Sequence, residues 1–118
     1  IVADDEKYFE DKQVAIALDK DIVIGYAYGE IEAAKKDKSY VKKGDKVFYL
    51  EEMYVVPSKR NKNVGLKLFK FLEKEARQKG AQVLELNAVS KDYKKLLKFY
   101  IEQMNMNFFS AYLYKELT

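Results

Sequence analysis

Residues 55–72, VVPSKRNKNVGLKLFKFL, decide the fold of this chain, because the end of an apolar strand runs through a basic turn directly into a helix. Asn63 is a favoured N-cap residue. Val64, Leu68, Leu72 and Ala76 follow at helical spacing, with Lys67, Lys70, Lys74 and Arg77 largely on the other side. Gly80 supplies a natural stop. A helix start leaves its first N–H groups without intrahelical partners and carries partial positive charge, so the turn is a ready site for phosphate. Arg60, Lys62 and the backbone from Asn61 through Asn63 and Val64 to Gly65 are the candidates to hold an anion. The plain alternative for the two cations is a solvated turn, and the helix start beside them favours the anion.

Outward toward the N-terminus, Val47 to Val56 reads as a strand, nearly continuous in apolar and aromatic residues except for Glu51 and Glu52. Strand alternation sends one carboxylate to each face. Burial of an unpaired one would raise its pKa, as a general base for an ammonium substrate requires, whereas solvent or a lysine partner would leave it ordinary. Ala34 to Lys46 is a lysine-rich exposed connection. Ile22 to Ala33 is a strand carrying Gly25 and Gly29 where a bulge or close backbone approach fits, and it forms a hairpin with Val14, Ile16 and Leu18 across Asp19-Lys20-Asp21. Lys7 to Asp11 reads as the tail of a helix.

Toward the C-terminus, Val83 to Val89 is a fourth strand, with Asn87 at its end. Ser90 or Asp92 can cap a second helix with the stripe Tyr93, Leu96, Leu97, Tyr100, Ile101 and Met104. Asn105 to Asn107 breaks it, and Phe108 to Leu117 reads as a closing strand. The order strand, strand, strand, helix, strand, helix, strand gives a mixed α+β fold.

At 118 residues the expectation is a single domain over 1–118, burying roughly two-thirds of the surface its unfolded form exposes. The net charge of +3 suits an anionic small molecule without demanding nucleic acid. Histidine and cysteine are absent, which excludes Ser-His-Asp and Cys-His chemistry, the usual zinc sites and disulfides. Proton transfer near neutral pH falls to a carboxylate, a tyrosine, a lysine or water. No metal is called for. With no membrane-length apolar run and no signal-like start, a soluble cytoplasmic protein is expected, and Ile1 in place of Met fits a fragment or the ordered part of something longer.

The segment Tyr54-Val55-Val56-Pro57, then Arg60-Asn61-Lys62-Asn63-Val64-Gly65, then Leu68, resembles the acetyl-CoA motif of the GNAT superfamily of N-acetyltransferases: a strand ending V-x-P, then R/Q-x-x-G-x-G/A opening a helix. Asn63 stands at the first glycine of that pattern, and asparagine tolerates positive φ. Leu97-Lys98-Phe99-Tyr100, a break near Asn105 and an aromatic segment after it resemble the family's F-Y-x-x-x-G-F ending. The resemblance spans roughly residues 13 to 118 and implies a central, mostly antiparallel sheet flanked by helices, without some N-terminal elements. It implies acetyl-CoA as cosubstrate, with the pantetheine arm along Tyr54, Val55 and Val56 and the pyrophosphate on residues 60 to 65. It further implies transfer to a primary amine by direct attack, Glu52 or Glu51 accepting the amine's proton, and Tyr100 reprotonating the thiolate. The partners are then acetyl-CoA and an unidentified amine, with no membrane; homodimers are common in the family.

Two other classes compete. A domain that keeps the acyl-CoA fold without catalysis, a sensor or scaffold, is motivated by Asn63 and Asn105 at glycine positions. A nucleic-acid module is prompted by 22 basic residues and 10 tyrosines, and is disfavoured because no basic-aromatic motif of an RNA-binding sheet occurs.

Overall fold

The computed structural model describes residues 12–118, so the expected helix tail at Lys7 to Asp11 lies outside the described residues. Chain contacts divide into two units, Ile1–Asn87 and Ala88–Thr118.

The first unit is built on a four-stranded sheet of order β1-β2-β3-β4, with β1 Gln13–Asp19, β2 Ile22–Ala33, β3 Lys46–Val55 and β4 Val83–Glu85. The hairpin between β1 and β2 closes through Lys20 at φ 49 and Asp21 at φ 69, with Asp19 opposite Ile22. Two consecutive positive φ values match the right-handed twist of the flanking strands. β2 pairs antiparallel with β3, and β3 pairs parallel with β4.

The second pairing contains a bulge. Tyr28 stands opposite Glu52 and Gly29 opposite Leu50, which leaves Glu51 as the extra residue of β3. A Cβ on Gly29 would lie 2.2 Å from the Tyr49 carbonyl oxygen and 2.8 Å from Phe48 Cζ, so only glycine lets the two backbones approach this closely.

Between β3 and β4 runs α1, Val64–Gln78, which buries Leu68, Phe69, Leu72 and Ala76 against β1, β2 and β3. This is the expected stripe with Phe69 added and Val64 only half-buried. Burying three such large side chains is worth on the order of 2 kcal/mol each. The helix ends where Ala81 N–H donates to Ala76 O at 3.0 Å and Gly80 takes φ 89.

Two expectations need correction in this unit. The connection from Ala34 to Lys46 is not simply solvated: Ala34 and Val41 are buried with Val47, and Lys38 pairs with Glu85 at 3.2 Å. β4 covers Val83–Glu85 instead of reaching Val89. Its ladder to β3 stops at Tyr49 opposite Glu85, two residues short of the bulge at Glu51, where a strand bends away from its neighbour.

In the second unit α2, Tyr93–Lys98, passes directly into a π-helical turn, Phe99–Gln103, closed by Met104 N–H donating to Phe99 O at 3.1 Å. Tyr100 and Met104 are buried, while Tyr93 is exposed. Asn105 ends the turn at φ 56. The expected closing strand at Phe108 to Leu117 is absent: residues 105–118 carry no strand, and Tyr112, Leu113, Tyr114 and Leu117 are exposed. Alternation marks which residues could face a core; a strand also needs a hydrogen-bonding neighbour, and none pairs with this segment among the described residues.

Candidate functional site

Strand β3 carries both halves of the site. At its exit, Pro57–Lys59 forms one 3₁₀ turn, with proline at the position where a missing N–H costs nothing. Asn61 and Asn63 then adopt left-handed conformations, at φ 62 and 66. Asn63 is the N-cap by position, but its side chain makes no capping bond, which corrects the expectation of a side-chain cap. The helical ladder opens with Lys67 N–H donating to Asn63 O at 3.1 Å, so the N–H groups of Val64, Gly65 and Leu66 lie ahead of it. Open donors, a left-handed turn and the positive end of a fifteen-residue helix together form an anion cradle.

Arg60 is tied back to the strand. Its Nε donates to Val55 O at 2.8 Å, and its guanidinium lies 5.4 Å from the Tyr54 ring centroid. No other partner engages its Nη groups, and Lys62 has no ion pair, among the described residues. Lys59, by contrast, is engaged by Asp19 at 2.9 Å, which anchors the turn to the β1–β2 hairpin.

At the middle of β3 the bulge interrupts alternation, so Glu51 and Glu52 do not simply face opposite sides as expected. Both lead to groups around Tyr28. Glu52 accepts hydrogen bonds from the hydroxyls of Tyr26 and, at 3.0 Å, Tyr28. The bond to Glu52, aided by burial, pushes the Tyr26 phenol up to about 12. Glu51 accepts from Lys12 Nζ at 2.6 Å, and the same ammonium reaches Glu30 at 3.3 Å. Burial disfavours the Lys12 ammonium, but the bonds to Glu51 and Glu30 outweigh it and hold its pKa above the usual value. Both carboxylates are exposed in part, so neither is the buried, unpaired acid considered from the sequence. Glu51 matches the alternative of a lysine-paired carboxylate.

Where β3 and β4 part, a cleft of about 300 Å³ opens, lined by Tyr49, Leu50, Glu51, Glu85, Leu86 and Asn87. Past Tyr49 no strand pairs with the outer edge of β3 among the described residues. That edge of β3 beyond Tyr49 therefore carries no ladder; Val56 N–H turns inward to Ile24 O at 2.9 Å, and Val55 O is taken by Arg60 Nε.

The strand order and helix of this fold agree with the comparison to known families. The family model that matches is the acetyltransferase (GNAT) family, over residues 2–106. The chain belongs to this family. Solved structures share its fold. An integron cassette protein from the mobile metagenome of V. cholerae matches at 24% identity and TM-score 0.70, over 91% of this chain and 63% of that one. Aminoglycoside N-acetyltransferase AAC(6')-Iy, solved with CoA, matches at 16% and 0.70, over 92% and 78%. Glucosamine-6-phosphate N-acetyltransferase from Arabidopsis thaliana matches at 18% and 0.68, over 95% and 71%. The likeness at these identities is one of fold, and the chain spans under two thirds of the first structure's length. No curated protein matches by sequence. Among the described residues no helix is long and apolar enough to cross a membrane.

Of the GNAT site residues expected from the sequence, Glu51, Glu52, Tyr54, Val55, Val56 and the turn from Arg60 to Gly65 lie on one strand and its exit, in the first unit. Tyr100 belongs to the second, buried in its π-helical turn with its ring edge-on to Phe99 at 5.2 Å. Burial pushes its phenol up, keeping it protonated. Sequence reasoning missed Lys12, Tyr26 and Tyr28. Tyr26 and Tyr28 sit two apart on β2, a spacing that signals a shared face, but only the register against β3 aims them at Glu52.

Proposed function

We propose that this GNAT-family chain transfers an acetyl group from acetyl-CoA to a primary amine. The observation that carries this reading is the layout of β3, with Glu52 at its bulge, an edge without a strand partner beyond it, and the Asn61–Gly65 turn at its exit. Acetyl-CoA, when bound, supplies the activated acetyl group. The open N–H groups of Val64 and Gly65, with Arg60 and Lys62, fit a pyrophosphate. The unpaired edge of β3 along Tyr54, Val55 and Val56 suits the pantetheine arm, and the Val55 N–H on that edge can face developing negative charge.

Glu52 accepts the amine's proton, directly or through water, while the hydroxyls of Tyr26 and Tyr28 hold its carboxylate in place. Tyr100, kept as a neutral phenol by burial, donates a proton to the departing thiolate. This assignment takes the two units as one working domain over 1–118. The absence of cysteine favours direct attack over an acyl-enzyme. Asn63 and Asn105, at glycine positions of the family pattern, both adopt positive φ, a conformation open to glycine and tolerated by asparagine.

The test is thiol release from acetyl-CoA with a panel of primary amines. The wild-type protein releases thiol with at least one acceptor, and Glu52→Gln and Tyr100→Phe each lose most of that rate, by roughly a hundredfold for the base. Unchanged turnover in both variants would overturn the role assignments.

A further inference from the structure

Beside Glu52 the chain presents an ammonium site with an ammonium already in it. Lys12 Nζ lies 2.6 Å from Glu51 Oε2, 3.3 Å from Glu30 Oε2 and 5.9 Å from the Tyr28 ring centroid. Two carboxylates and an aromatic face are the groups that recognise a primary ammonium. The Lys12 side chain is only 10% exposed, whereas those of Glu30 and Glu51 are 34% and 36% exposed, so the lysine is the inner member and the acids reach solvent. Glu51 is the bulge residue directly before Glu52, and Tyr28 donates to Glu52, which makes this pocket continuous with the proposed base.

We propose that Lys12 fills a cation subsite next to Glu52 and thereby sets which acceptor amines the protein accepts, disfavouring those that bring a second positive charge. The inference rests on the amine-acetyltransferase reading for its consequence, but the subsite itself does not require turnover. A tethered ammonium acts at high effective concentration, so a free cation must displace it before reaching Glu51 and Glu30. A monoamine that delivers its one nitrogen to Glu52 has no second charge to place. A diamine does, and in the wild-type protein its distal ammonium meets Lys12 instead of the two acids. Removing the charge of Lys12 converts the same place into a receptor for that distal ammonium.

Calorimetric binding of butylammonium, without acetyl-CoA, tests the subsite in wild-type, Lys12→Met, Lys12→Arg and Lys12→Met/Glu51→Gln proteins, with butan-1-ol as the neutral control. Methionine keeps a flexible apolar stem in the place of the lysine chain, and Lys12→Gln serves if it fails to fold. Lys12→Met binds butylammonium roughly tenfold or more tightly than wild type, the scale of one charge-assisted hydrogen bond. Lys12→Arg matches wild type, the double variant loses the gain, and butan-1-ol shows none. In turnover, Lys12→Met lowers KM for butane-1,4-diamine several times more than for butylamine. Equal binding of butylammonium by wild type and Lys12→Met overturns the proposal even in an active enzyme. A binding gain without turnover supports the subsite while sinking the enzyme reading.

Discussion

The exit of β3 and its middle are built by different means. The exit, residues 55–66, is made of neighbours in sequence: a proline that opens a 3₁₀ turn, two asparagines in the left-handed region, and a helix whose first N–H groups stay open. The middle is made of strangers. Glu51 meets Lys12 from 39 residues away, and Glu52 meets Tyr26 and Tyr28 from 26 and 24 away. A turn's chemistry is written locally, whereas a carboxylate's environment is fixed by strand register, and a single bulge changes it.

The largest effect separates the two adjacent acids. Glu52→Gln should cost roughly a hundredfold or more in kcat, as loss of a general base does, while Glu51→Gln should cost no more than severalfold because Lys12 already occupies that carboxylate. Equal losses in steady-state kinetics would erase the division of labour at the bulge.

A smaller effect reports on the phenols. The Tyr26 hydroxyl titrates at about 12, above its ordinary 10, because the folded state favours the neutral phenol that donates to Glu52. Its contribution to stability is therefore complete below pH 10 and is lost as pH rises from about 10 to 12. Ultraviolet titration should find a tyrosine near 12 in wild type that moves down toward 10 in Glu52→Gln, while the late titration of buried Tyr100 stays where it was. A tyrosine titration unchanged in every step by that substitution would break the link between Tyr26 and the acid.

The same contrast explains what could be read in advance. The hairpin at Lys20-Asp21, the α1 stripe, the Gly80 stop and the family motif from Tyr54 to Gly65 are local patterns, and each was legible. So was the glycine-like role of Asn63, because asparagine is one of the few side chains that tolerate positive φ. Long-range facts were not. Nothing in VLELNAV says that β3 bends away after Tyr49 and ends the ladder at Glu85. Alternation in Phe108 to Leu117 says nothing about whether a neighbour will pair with it. Lys12 carries no local signal at all; it matters because β1 brings it beside Glu30 and Glu51.

The central claim, that the turn after β3 is the pyrophosphate cradle of a GNAT protein, is tested most directly by melting curves with and without acetyl-CoA for wild type, Asn63→Gly and Asn63→Val. Acetyl-CoA at 100 times its dissociation constant should stabilise wild type by about 2.7 kcal/mol. Asn63→Gly should retain that shift, because glycine adopts φ 66 freely. Asn63→Val should lose most of it, since a β-branched residue is held out of the left-handed region by about 1–2 kcal/mol. A wild-type protein whose melting temperature does not move with acetyl-CoA, or a valine variant that responds as wild type does, would contradict the account.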